Sequence, residues 1–248
     1  MSADPLVILA SLGAVLAGAL VKGVTGIGLP MVAVPLMVQV MPVPTAISLL
    51  SVPVLSSNLF QLNDRAEVVH AARRFWALLL VMILGVVAGA LLLISLDPHL
   101  LEILMGALVI ALALFYMAKP EVEISPAHER VASPLVGLAG GLLGGLSSFY
   151  GPPLVLYLIA LKLPKDRFVL TISLFYFIGQ IPLYLMLGAS HLFGWSEFLA
   201  SLALAVPAYF GVQLGQKLRH RLDPALFTRI VLAIQLVSGT SLIWKGLG

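Results

Sequence analysis

Cysteine is absent from the chain, which removes disulfides, thiolate metal sites and cysteine nucleophiles and leaves the compartment undetermined. Charge is nearly as scarce. Only 10% of the 248 residues are Asp, Glu, Lys or Arg, where a soluble domain carries about a quarter. None of the 11 acidic residues falls in the middle of an apolar block; all occupy tails, loops or helix ends. The five histidines lie in loops or at helix ends without metal-ligand spacing, so no metal site and no cofactor is expected. No continuous basic stripe exists, which argues against a nucleic-acid partner despite the formal charge of +3. Ser2-Ala3-Asp4-Pro5 supplies no basic n-region, so no cleavable signal peptide is expected.

What is abundant is apolar sequence, 60% of the residues. It recurs in blocks at 6–41, 45–62, 75–96, 100–118, 134–161, 168–187, 198–216 and 225–244. Six have the length of one membrane-spanning helix. The other two, 6–41 and 134–161, are interrupted: the first by Lys22-Gly23-Val24-Thr25-Gly26-Ile27-Gly28-Leu29-Pro30, the second by Gly144-Gly145-Leu146-Ser147-Ser148-Phe149-Tyr150-Gly151-Pro152-Pro153. The pattern predicts an all-α polytopic membrane protein whose partner is the lipid bilayer, with no separate soluble domain.

Loop charge predicts how the chain threads. Twelve of the 14 Lys and Arg fall in four regions, 63–74, 119–133, 162–167 and 217–229, which the positive-inside rule places in the cytoplasm. Segments 119–133 and 162–167 then lie on one side, so block 134–161 enters and leaves there as a re-entrant hairpin. Symmetry predicts that block 6–41 is a hairpin opening to the outside, with both termini periplasmic. Gly85, Gly89 and Leu96-Asp97-Pro98 repeat at constant offset as Gly211, Gly215 and Leu222-Asp223-Pro224. The expected organisation is therefore two inverted repeats, 1–118 and 134–248. Each is a broken hairpin plus three helices, joined by a cytoplasmic linker at 119–133.

A helix broken at depth leaves peptide groups that only protein or water can satisfy, so irregular backbone there lines cavities. The N-terminus of a helix restarting after a break offers N–H donors and partial positive charge, suited to an anion. The two breaks are expected to face each other and hold a small anion near the midplane. The backbone of Gly26, Gly28 and Gly151, the hydroxyls of Thr25, Ser147, Ser148 and Tyr150, and the repeat-related Asn58 and Gln180 are the candidate ligands. Lys22 either binds the anion or snorkels to the interface. Ser173, Tyr176, Gln180 and Tyr184 share one face of block 168–187; Ser48, Ser51 and Asn58 form a similar stripe in 45–62, with Gln61 to one side. Either stripe serves substrate or hydrogen bonding between helices. Gly85, Gly89, Gly211 and Gly215 are expected to permit close helix approach. Without a midplane carboxylate, coupling would fall to Lys22, a hydroxyl network or the substrate's own proton, so facilitated or weakly coupled export is expected.

Gly23-Val24-Thr25-Gly26-Ile27-Gly28-Leu29-Pro30 with Pro35 and Pro42, together with Gly144 to Pro153 and Leu154-Val155-Leu156-Tyr157, resembles the TauE/SafE family. The resemblance covers nearly the whole chain. It implies a bacterial inner-membrane permease exporting sulfite, sulfoacetate or a related small anion. Ser147-Ser148-Phe149-Tyr150 departs from the most glycine-rich form of the pattern. Transport of another small organic anion or of a metal ion stays open, as does a homodimer. A membrane-embedded enzyme lacks an acid-base pair here and is the remote alternative.

Overall fold

The computed structural model describes residues 4–26, 28–118, 126–219 and 221–248. Ile27 of the first break, His220 and the 119–125 part of the linker lie outside them. The described residues form helices only: α1 (Pro5–Thr25), α2 (Leu29–Met37), α3 (Val43–Leu49), α4 (Ser51–Leu59), α5 (Arg65–Arg74), α6 (Trp76–Ser95), α7 (Pro98–Ala118), α8 (Pro126–Ser147), α9 (Gly151–Ala160), α10 (Lys165–Ala189), α11 (Trp195–Leu218) and α12 (Pro224–Leu247). Six of them, α1, α6, α7, α10, α11 and α12, are long and apolar enough to cross a membrane. Trp76, Trp195 and Trp244 stand exposed at helix ends, where interfacial anchors belong.

Three local differences from the sequence reading have physical causes. Block 45–62 is two helices, because Pro53 has no N–H for the carbonyl four residues back and the chain turns at Leu50. Segment 63–74, expected as loop, is mostly α5, capped by Asp64, whose carboxylate accepts from Ala66 N at 2.9 Å and Glu67 N at 3.1 Å. The helix before the second break begins at Pro126, inside the stretch read as linker.

The chain forms two compact units. Unit one holds the described part of 1–53 with 96–118 and 192–248; unit two holds 54–95 and the described part of 119–191. Each of the expected sequence halves, 1–118 and 134–248, runs through both units.

In unit one α1 lies along α11, and α7 along α12. A side chain on Gly211 would meet Leu16, Ala19 and Leu20, and one on Gly215 would meet Leu20, Gly23 and Val24. The α1–α11 pair is therefore parallel and in backbone contact. In unit two α8 lies along α6, with Gly85 against Leu138, Gly141 and Leu142, and Gly89 against Leu142, Gly145 and Leu146. This pair is also parallel. The small-residue pairs thus do the packing expected of them, each against a hairpin helix from the other half of the sequence. Around α5, Arg74 forms a two-pronged pair with Glu129 at 3.0 and 3.1 Å, and Arg167 pairs with Glu67 at 3.3 Å.

Candidate functional site

The first break belongs to unit one. Its chain reversal uses Gly26 at φ 89° and Gly28 at φ 100°, left-handed conformations that cost an L-residue about 1–2 kcal/mol. Gly26 N–H donates to Lys22 O at 2.7 Å, closing α1. The 21 residues of α1 reach about 31 Å, the thickness of a bilayer core. Because Gly23 packs at Gly215, Thr25 lies level with the last turn of α11. The break expected at mid-depth therefore sits at the end of a spanning-length helix.

Lys22 is 3% exposed, so it does not reach the molecular surface and the snorkelling alternative fails. Thr25 Oγ1 donates to Val21 O at 2.9 Å within its own helix. Thr25 also borders a mostly apolar cavity of about 190 Å³, together with Met31, Tyr116, Thr228 and Val231. Leu29, Met31 and Val32 carry backbone N–H groups in the first turn of α2, whereas Pro30 carries none.

The second break belongs to unit two and is built differently. Here the positive φ, 64°, falls on Ser148 rather than on glycine. Ser148 N–H donates to Gly144 O at 2.7 Å. Ser147 Oγ donates to Leu143 O at 2.6 Å and accepts from Phe149 N at 3.2 Å, so its hydroxyl serves the local turn. Pro152 and Pro153 remove two N–H groups from the start of α9, leaving those of Gly151 and Leu154 in its first turn.

Side chains fill the place of those donors. Gln180 Nε2 donates to Ser148 Oγ at 2.8 Å. Gln180 and Tyr150 are each 1% exposed, and Gln180 Oε1 and the Tyr150 hydroxyl have no hydrogen-bond partner among the described residues. The Tyr150 ring is held in a slot between two glycines. A Cβ on Gly144 would land on ring atoms, and one on Gly179 would lie 2.6 Å from Cε1. Tyr176 closes the slot with its ring centroid 5.8 Å from that of Tyr150.

The two polar stripes divide. On α10, Tyr176 and Gln180 meet the second break, while the Ser173 hydroxyl bonds to Gln61 Oε1 in the turn after α4, a structural link. In 45–62, Ser48 Oγ donates to Leu192 O at 2.9 Å, and Ser51 Oγ to Ser201 Oγ at 3.0 Å, both structural contacts in unit one. Asn58 lies in unit two, 1% exposed, its Nδ2 donating to Val54 O at 2.9 Å on its own helix. Gly26, Gly28, Lys22 and Thr25 thus share one unit, and Asn58, Ser147, Ser148, Tyr150, Gly151 and Gln180 the other.

Sequence reasoning missed Gly179, whose bare α-carbon admits the Tyr150 ring. It also missed Gln235 of α12, 1% exposed with neither amide atom partnered among the described residues. The available signal was the one amide side chain in the block 225–244.

Among the described residues twelve helices, six of them of spanning length, and buried polar breaks with irregular backbone fit a multi-pass membrane protein. The family description Sulfite exporter TauE/SafE matches residues 10–242, and the chain belongs to that family. No curated protein and no solved structure matches the chain.

Proposed function

We propose that this chain is a carrier, not an enzyme, that exports a small anion, most simply sulfite or an organosulfonate such as sulfoacetate. One observation carries the reading: Gln180 of α10 meets Ser148 and Tyr150 of the second break in the buried interior, with a hydroxyl and an amide oxygen unpartnered among the described residues. Polar groups left this way in hydrocarbon are costly, and the cost is recovered when a ligand pairs with them. The first break, in the other unit, has its own backbone N–H groups at the start of α2 and the buried amine of Lys22. The bacterial inner membrane is the proposed location, with both termini periplasmic.

Purified protein in liposomes is expected to pass sulfite or sulfoacetate, and Gln180→Ala to reduce the flux at least about tenfold, the loss of a buried hydrogen-bonding group. Asn58→Ala is expected to reduce it less, since its amide is bonded along its own helix. Unchanged flux in both variants would remove these residues from the site. Topology has its own test: a reporter fused after Gly248 scores periplasmic and one inserted at Lys165 cytoplasmic. A cytoplasmic C-terminal signal would overturn the orientation.

A further inference from the structure

Resting on the anion-export reading, we propose that the second break selects oxyanions that carry a hydrogen-bond donor of their own. The class comprises hydrogen sulfite rather than the sulfite dianion, and hydroxy- or amino-substituted sulfonates rather than plain alkanesulfonates or the sulfoacetate dianion, so that sulfite is favoured among the cargoes proposed above. The ground is the polarity of the two unpartnered atoms. The Tyr150 hydroxyl offers a donor, and any anion can accept from it. Gln180 Oε1 can only accept. In this structure Nε2 faces Ser148 Oγ at 2.8 Å, which turns Oε1 to the unpartnered side. Both atoms are buried, and neither has a partner among the described residues.

Their residues are neighbours. Ser148 stands two residues before Tyr150, and the Tyr150 ring presses against Gly179, the residue before Gln180. The glycine slot prevents the ring from swinging away. A dianion or an alkanesulfonate satisfies the tyrosine and sets a negative oxygen against the carbonyl of Gln180. An ion with an O–H or N–H satisfies both. For sulfite the consequence is coupling: exporting the hydrogen-bearing monoanion moves a proton in the same direction as the sulfur. No carboxylate within the membrane is then required.

The test compares two isosteric monoanions, hydroxyethanesulfonate and propanesulfonate, which differ by a hydroxyl in place of a methyl group. Binding to the purified full chain is measured by calorimetry in detergent. Hydroxyethanesulfonate is expected to bind at least about tenfold tighter, since a buried acceptor left unpaired rejects the analogue lacking its donor. Gln180→Met keeps the side-chain volume and is expected to abolish the discrimination. Tyr150→Phe should weaken both ligands and preserve their ratio, and it covers the case in which the methionine variant does not fold. Equal affinities in the native chain overturn the proposal while leaving anion export standing, because the amide would then present Nε2 to the ligand. Failure of both sulfonates and of sulfite to bind or to cross proteoliposomes overturns the export reading and this proposal together.

Discussion

The two breaks solve one backbone problem with different chemistry. The first reverses through Gly26 and Gly28, and the helix that follows retains three of four first-turn N–H groups. The second reverses through Ser148 and begins its next helix with two consecutive prolines, which delete half of those donors. Polar side chains occupy the second break, where Tyr150 is slotted between glycines and Gln180 is tied to Ser148. Near the first break the side-chain hydroxyl is turned back on its own helix and a lysine is buried. One break is a backbone device and the other a side-chain device. A site made of N–H groups holds charge without regard to its decoration, whereas a site made of a phenol and an amide reads which atoms carry hydrogen.

Substitutions that treat the breaks unequally sharpen this contrast. The largest effect is expected from Gly144→Val, which drives the Tyr150 ring from its slot. Overpacking of this kind costs about 1–3 kcal/mol, and both the melting temperature in detergent and the flux should fall. Adding Tyr150→Ala to that variant should restore part of the melting temperature but not the flux. Recovery of flux would show that the tyrosine serves packing alone.

Gly28→Ala strains the other break, with an expected cost of about 1–2 kcal/mol from φ 100° and no change in the sulfonate discrimination. A change in discrimination would break the division between backbone and side-chain devices. Ser148→Gly should be close to neutral in stability, because relief of about 1 kcal/mol at φ 64° offsets a hydrogen bond worth about 1 kcal/mol. Its flux should nonetheless drop, since Gln180 loses its anchor. Thr25→Val is expected to have the smallest effect, under about twofold in flux and within about 1 kcal/mol in stability, the hydroxyl being bonded to Val21 O.

Much of this was legible before any coordinates. Apolar block lengths marked the long helices to within a few residues, because a bilayer core dictates about 20 apolar residues per crossing. Glycines and prolines marked both breaks, and Gln180 was singled out as a polar residue where lipid tolerates none. Two kinds of information were illegible. Hydroxyl partners depend on rotamers, so Thr25 and Ser147 read like ligands and Ser173 was left open between substrate and structure, although each hydroxyl donates to a carbonyl oxygen, that of Ser173 to the amide of Gln61. Depth depends on where a helix begins, and α8 begins at Pro126, before the apolar block does.

By itself the sequence determined that the chain lives in a membrane, where it breaks and which polar residues are candidates, since solvation and backbone chemistry are local properties of residues. Only the tertiary structure decided which of those groups remain unpartnered. Whether an amide or phenol finds a partner is settled by side chains from distant segments, as when Gly144 and Gly179 close on Tyr150 and Ser148 takes one end of Gln180 and leaves the other.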